Sequence, residues 1–231
     1  MINSKTQARI AGVLLVLGTV PILIAMALWG KPLMSPEYLS AMAAHPDQVR
    51  LFVLTIMVMG LSCAGIGIAL YPVLKRYNEG LALTAMGFRL MEGPLQMVSA
   101  VGFMALLAVS QEFVKAGSPL VSMYQSAGAA IKAVNDWFTI AYFLPFCIGA
   151  SCYYIIFYKA RLVPRWLSVW GLASLLLMTI SNMAGILDLI DASSPVGSVL
   201  CMPIMIQELV LAVWLIVKGF NIPSNTPSNT H

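Results

Sequence analysis

Six long apolar stretches dominate the chain. They lie near residues 10–29, 51–74, 81–109, 137–158, 166–187 and 198–217. Each is close to the roughly 20 residues that an α-helix needs to cross the hydrocarbon core of a bilayer. A segment in lipid must satisfy its own backbone hydrogen bonds, and the ten-residue alternation of a membrane β-barrel does not occur. The pattern therefore predicts an all-α polytopic membrane protein, a bundle of six transmembrane helices.

The connections between these stretches alternate between short and long. Residues 75–80 and 159–165 are tight and predict antiparallel hairpins of spans two and three and of spans four and five. On the other side, Ser35 to Glu37 is a helix start and Pro46 a helix end. From Leu120 to Val134, apolar residues recur at helical spacing. We expect short outer-loop helices, the second of them lying on the membrane surface.

Composition agrees with the apolar pattern. The chain has 231 residues, of which 60% are hydrophobic and 10% charged, whereas soluble domains have about 25% charged residues. We expect one membrane domain over residues 1–221, and the Asn, Pro, Ser and Thr of residues 222–231 predict a disordered tail. The net charge of +4 does not indicate nucleic acid, because the basic residues flank the apolar stretches. The expected partners are the lipid bilayer and a small-molecule ligand, and the oligomeric state stays open.

Basic residues are unequally divided between the two sides of the predicted bundle. One side has four, with several acidic residues beside them, and the other has eight: Lys5, Arg9, Lys75, Arg76, Lys159, Arg161, Arg165 and Lys218. Cytoplasmic loops carry the excess of Lys and Arg, so both termini are predicted in the cytoplasm and the chain in the inner (cytoplasmic) membrane. The first apolar stretch exceeds the core of a cleavable signal peptide and is interpreted as a retained span.

Three charged side chains interrupt the apolar spans. Arg89 and Glu92 lie in the third span, and Glu208 lies in the sixth. A charge within a membrane helix costs roughly 3 kcal/mol on insertion scales, so such residues need partners and often mark functional sites. At about 1.5 Å per residue, Glu92 and Glu208 are each about 15–17 Å into their spans, near the middle of the membrane.

Other polar residues extend this group. At about 100° per residue, Arg89, Glu92, Gln96 and Ser99 share one stripe of the third helix. Asn182 in the fifth span either joins the group or bonds to a neighbouring backbone carbonyl. The candidate ligand-binding residues are Arg89, Glu92, Gln96, Asn182, Gln207 and Glu208.

Prolines and glycines accompany the charged residues. Pro94 follows Glu92, and Pro203 precedes Glu208 by about one turn. A proline removes a backbone donor, so each helix is expected to open locally and offer a carbonyl to a ligand. In the second span, Gly60 forms part of a surface of small residues suited to close helix packing. Tyr154, near an inner end, is interpreted as an interfacial belt residue.

The charge balance leaves three function classes open. One arginine against two glutamates gives one surplus negative charge, which favours either a protonated glutamate or a cationic ligand in a low-dielectric site. The first class is a protein that binds or moves a small, cationic or amphiphilic solute at a midplane pocket of spans three and six. The second is a non-catalytic membrane partner or regulator in which Arg89 bridges both carboxylates as structural glue.

The third class is an intramembrane enzyme that uses Glu92 or Glu208 as acid or base. The sequence has no nucleophile-and-base pair, no set of metal ligands and no cofactor motif. We therefore favour an enzyme least and predict no metal site and no cofactor.

Several segments are similar to a known family. They are GFRLME at residues 87–92, RLVPRWLSVWG at residues 161–171, QELVLAVWLIVKGFN at residues 207–221, and YPVLKR from Tyr71. The chain resembles, almost to Asn221, the bacterial six-span family catalogued as domain of unknown function forty-three eighty-six. The resemblance implies the same six-span architecture and includes Arg89, Glu92, Gln207 and Glu208. It implies no established activity.

Overall fold

The computed structural model describes residues 4–116, 120–187, 189 and 195–221. These residues form α-helices and no strand: α1 (Ser4–Trp29), α2 (Lys31–Met34), α3 (Tyr38–Ala44), α4 (Pro46–Leu74), α5 (Glu79–Lys115), α6 (Val121–Ala160), α7 (Arg165–Ile186) and α8 (Pro195–Val217). Six helices, α1 and α4 to α8, are long and apolar enough to cross a membrane. The predicted all-α, six-helix membrane fold is confirmed. The predicted tail, residues 222–231, lies outside the described residues.

The six long helices form a closed ring. Each packs against the next one along the chain, and α8 returns to pack against α1. Because successive helices are antiparallel, the eight basic residues that flank one side in the sequence all lie at one end of the ring. We call this the basic end, and the other end, which holds α2 and α3, the opposite end.

Two short turns at the basic end hold the predicted hairpins. The side-chain Oδ1 of Asn78 accepts a hydrogen bond of 2.9 Å from the backbone N–H of Leu81 and so caps the start of α5. At the other turn, Arg161 adopts a left-handed backbone conformation with φ 55° and ends α6. Pro164 then directly precedes α7. Both hairpins are therefore as predicted.

The first outer connection contains the expected short helix. Ser35 Oγ accepts a hydrogen bond of 3.2 Å from the backbone N–H of Glu37, one residue before α3 begins. Helix α3 then packs against α5, with Leu39 and Met42 buried. Pro46 is the first residue of α4 rather than the end of α3.

The prediction of a separate surface helix in the second outer connection is wrong. Residues 121–160 form one helix of 40 residues, about 60 Å long against a hydrocarbon core of about 30 Å. Extending a helix is less costly than nucleating a second one, and no helix-breaking residue separates Val134 from Trp137. The extension also packs closely on α5, because a Cβ on Gly102 would lie 2.4 Å from Asn135 Oδ1.

The basic end of the ring is densely packed. Its core is a layer of buried apolar and aromatic side chains that includes Val73, Tyr153, Phe157 and Leu215. The chain after α8 closes this layer from below, since the N–H of Asn221 donates a 2.8 Å hydrogen bond to the carbonyl of Leu162. We call this region the basic-end layer.

Tyr154 belongs to this layer, so its assignment as an interfacial belt residue is wrong. Its side chain is fully buried, and its hydroxyl donates a hydrogen bond to the side-chain carbonyl of Gln207. The ring lies against the backbone of α7, where a Cβ on Gly171 would come within 2.7 Å of it. At this end the exposed tyrosines include Tyr158, one turn along α6, and Tyr77.

Small residues bring α4 and α5 into backbone contact, as the sequence predicted. A Cβ on Gly93 would lie 2.8 Å from the carbonyl oxygen of Gly60, and a Cβ on Gly60 would lie 3.0 Å from that of Gly93. A Cβ on Gly93 would be too close to the backbone of α4 unless one helix moved, and a Cβ on Gly60 would be a tight contact. These two glycines therefore fix the spacing of the helices that position Glu92.

We expect Gly93→Ala to destabilise the protein, because the new methyl group must push α4 away from α5. Overpacking of this kind costs about 1–3 kcal/mol. The matched control is Gly87→Ala on the same helix, where a Cβ meets nothing within 4 Å and the gain in helix propensity is up to about 1 kcal/mol. Thermal unfolding of the detergent-solubilised proteins should give a lower midpoint for Gly93→Ala only. Equal midpoints for the two variants would contradict the contact.

Candidate functional site

A cavity of about 360 Å³ lies inside the ring, and all six long helices contribute to its wall. On α5 the lining runs from Arg89 to Phe103 and on α4 from Ile66 to Phe52, which is about 20 Å at 1.5 Å per residue. The cavity therefore extends along the helix axes from the top of the basic-end layer toward the opposite end.

The charged residues of the lining are all near the cavity's inner limit. Arg89, Glu92 and Glu208 are the ionisable acidic and basic residues among those that line it. We call this inner part the charged floor. The rest of the wall toward the opposite end is mostly apolar and aromatic, with Phe52 and Phe103 at its far limit.

Arg89 is held by close packing from three sides. Its Cβ lies against Gly67 of α4 and its Cγ against Gly149 of α6, where an added Cβ would approach to 2.9 and 3.3 Å. Its guanidinium lies over the ring of Phe146, with 5.1 Å from Cζ to the ring centroid, a cation–π contact. The absence of a Cβ at the two glycines is what allows a long, charged side chain to be buried here.

Glu92 is engaged mainly by residues of its own helix. Arg89 Nη1 lies 2.9 Å from Glu92 Oε2, and Gln96 Nε2 donates a 2.9 Å hydrogen bond to Oε1. The three residues are 1–3% exposed. The Nη1–Oε2 approach is close but not aligned as a hydrogen bond, and Arg89 Nε has no hydrogen-bond partner. The sequence-predicted polar stripe of α5 is thus a buried ion pair with an amide beside it.

Glu208 faces the cavity from α8 and is much less engaged. Its Oε2 accepts a long hydrogen bond of 3.4 Å from Thr19 Oγ1 of α1, and its buried Oε1 has no hydrogen-bond partner. Among the described side chains, no ion pair within 4 Å joins Arg89 to Glu208. The bridge from Arg89 to both carboxylates, on which the structural-glue alternative depends, is therefore not formed.

Two of the six candidate residues lie outside the cavity lining. Gln207 accepts from Tyr154 and donates a 3.0 Å hydrogen bond from Nε2 to the carbonyl of Leu167, so it joins α6, α7 and α8. Asn182 Nδ2 donates a 2.8 Å hydrogen bond to the carbonyl of Met178, the second of the two alternatives in the sequence. The structure brings together Arg89, Glu92, Gln96 and Glu208 around one cavity and places Gln207 and Asn182 elsewhere.

Several lining residues carried no signal in the sequence. Thr19 lies among the apolar residues of the first span, and its buried position is known only from the structure. Cys63 accepts a weak contact of 3.7 Å from Gln96 Nε2. The aromatic wall of Phe103, Tyr142 and Phe143 could not be recognised, because apolar residues in a span face lipid as readily as they face the interior.

The prolines do not interrupt their helices. Helices α5 and α8 continue through Pro94 and Pro203, and neither proline lines the cavity. Within the described part of the chain, no three His, Cys, Asp or Glu residues form a group that could hold a metal ion. The arrangement therefore offers a ligand one engaged carboxylate, one weakly engaged carboxylate and a largely apolar wall.

Comparison with known proteins gives a family. The family model described as Domain of unknown function (DUF4386) matches residues 10–219, which extends from the second turn of α1 to just beyond the end of α8. No curated protein and no solved structure matches the chain.

We expect Arg89→Gln to destabilise the protein strongly, because Glu92 would be left as a buried, unpaired charge. Breaking one partner of a buried ion pair costs about 3–5 kcal/mol. The double variant Arg89→Gln with Glu92→Gln should recover most of that loss, and thermal unfolding of the two single variants and the double variant measures the coupling. Additive losses would contradict a coupled pair.

The matched control for this cycle is the Arg50–Asp47 pair, which has the same three-residue spacing on a helix. Its Nη1–Oδ1 distance is 2.7 Å, but its side chains are 53% and 84% exposed. Exposed pairs contribute about 0–1 kcal/mol, so Arg50→Gln should leave the unfolding midpoint nearly unchanged.

Proposed function

Since the chain belongs to the family described as Domain of unknown function (DUF4386), whose description assigns no activity, we propose a function from its cavity. The protein is a multi-pass integral membrane protein with six apolar helices. In our proposal it binds or moves a small cationic or amphiphilic solute, which occupies the cavity inside the ring with its positive charge beside Glu208.

The charge balance of the cavity carries this proposal. Arg89 and Glu92 neutralise each other within α5, so the formal surplus of one negative charge resides on Glu208. Its carboxylate has only the long contact to Thr19. A carboxylate removed from water needs a compensating charge or a proton, and a cationic ligand would supply the charge.

The wall suits such a ligand. A volume of about 360 Å³ is within the range of small-molecule sites, which are mostly apolar with a few polar groups that fix orientation. The aromatic residues Tyr142, Phe143 and Phe146 line the same cavity, and aromatic faces attract cations by about 0.5–2 kcal/mol each. The wall therefore favours an organic cation over a hydrated metal ion.

The structural-glue alternative has less support. Glue between helices would be expected to join charges of different spans, but the ion pair lies within α5 alone. The hydrogen bonds that join three helices are those of Gln207 in the basic-end layer. An enzyme role for Glu92 or Glu208 would need a reacting group beside them, and we do not propose one.

We further propose that the basic end faces the cytoplasm, in the inner membrane of a bacterial cell. Eight basic residues lie at this end, against four at the opposite end, and the positive side of a membrane protein is normally cytoplasmic. The charged floor would then be closed from the cytoplasm by the basic-end layer.

A reporter fused after residue 231 tests this orientation. We expect green fluorescent protein to fluoresce there and alkaline phosphatase to be inactive, because both report the compartment in which they fold. The matched control is a fusion after His45, between α3 and α4 at the opposite end, where phosphatase should be active. The reverse pattern would contradict the proposal.

We expect benzyltrimethylammonium to raise the thermal unfolding midpoint of the purified protein, by ligand linkage. Its neutral isostere, 2,2-dimethylpropylbenzene, should have little effect, because it leaves Glu208 uncompensated. Glu208→Gln should weaken binding of the cation by at least about tenfold, which corresponds to about 1.4 kcal/mol.

The control is Glu37→Gln, which removes the same formal charge from an exposed position outside the cavity. It should leave binding unchanged. Equal binding of the cation and its isostere, or equal loss in both variants, would contradict a charge-selective site at Glu208.

A further inference from the structure

The cavity is elongated along the helix axes. Its lining covers about 20 Å of α4 and of α5, at about 1.5 Å per residue. A compact cation would fill only part of such a space. A single extended hydrocarbon chain has the shape that the space offers.

Charged and apolar lining residues lie at different ends of the cavity. All three charges lie at the charged floor. Above it, the wall has Ile22 and Met26 on α1, Phe52 and Ile56 on α4, and Met205 on α8. The polar groups at these levels, such as Thr139, are uncharged. One end of the cavity therefore suits a cationic head, and the remaining length suits an apolar tail.

The floor is also the closed end. Directly beneath it the basic-end layer is filled by Leu15, Leu70, Tyr153 and Leu211, which are at most 2% exposed. Toward the opposite end the lining includes Met26, which is exposed on α1. A molecule with its cationic head beside Glu208 would extend its tail along the apolar lining toward the opposite end.

We propose that the natural ligand is a single-chain cationic amphiphile, with its ammonium head beside Glu208 and its alkyl tail along the apolar wall. This inference rests on the proposed function and names its ligand class. The net negative charge of the floor favours a net cation over a zwitterionic lipid head, since the guanidinium of Arg89 is already neutralised by Glu92.

A chain-length series tests the proposal. Alkyltrimethylammonium ions from hexyl to hexadecyl are equilibrated by dialysis with the protein in nanodiscs, with empty nanodiscs to subtract partition into lipid. The affinity is calculated from the concentration of free ligand in water. It should rise about fourfold for each added methylene up to a limiting chain length and then stay constant. A rise identical to that of empty nanodiscs would overturn the proposal.

Variants that fill the wall at two depths should move this limit. Met205 lies three residues from Glu208 toward the opposite end, about 4.5 Å along α8. Met26 lies seven residues from Thr19 in the same direction, about 10 Å along α1. Met205→Phe should therefore shorten the limiting chain more than Met26→Trp does. The matched controls are Met202→Phe and Leu28→Trp, on the same helices at exposed positions outside the lining, and they should leave the limit unchanged.

The outcomes separate this inference from the proposed function. If benzyltrimethylammonium binds in a Glu208-dependent way but no wall variant changes the limiting length, the amphiphile is wrong and the cation site stands. If no cation binds, both proposals fail.

Alkylphosphocholines of equal length test the source of the ligand, because they carry the same trimethylammonium on a zwitterionic head. Tighter binding by them than by the simple cations would overturn the assignment to a net cation.

Discussion

The buried ion pair of Arg89 and Glu92 is the constraint on which the centre of this molecule depends. Neither charge can face lipid without a cost of several kcal/mol, and each compensates the other within one helix. The pair forces one face of α5 toward the inside of the ring. Neighbouring helices then supply small residues, Gly67 and Gly149, that give the guanidinium room.

The same constraint separates the two carboxylates. Because Arg89 pairs with Glu92, the carboxylate of Glu208 has its hydrogen bond in the described structure from Thr19. Both carboxylates line the same cavity, Glu92 from α5 and Glu208 from α8.

Packing density divides the bundle into two halves along its axis. The basic-end layer uses large side chains that interlock, such as Phe157 with the ring of Phe220 at a centroid distance of 5.8 Å, together with the hydrogen bonds of Gln207. The opposite half leaves about 360 Å³ unfilled. The unfilled volume therefore lies in the half of the ring away from the basic-end layer.

The sequence by itself determined the membrane fold. In lipid, an apolar run of about 20 residues satisfies its backbone polar groups by forming a helix. The short turns at residues 75–80 and 159–165 then define two antiparallel hairpins. The buried charges of Arg89, Glu92 and Glu208 could also be singled out, because their energetic cost in a span is independent of the neighbours. The absence of a helix breaker between Val134 and Trp137 also permits the long α6, but its packing on α5 at Gly102 is decided by the tertiary structure.

Only the tertiary structure decided which polar groups meet. Helical periodicity gives the face of a residue on its own helix but not the rotation of that helix against the others. Tyr154 and Gln207 therefore proved to join three helices within the basic-end layer, whereas Thr19, hidden in the first span, reached Glu208. The shape of the cavity likewise comes from six helices at once, and no single span contains that information.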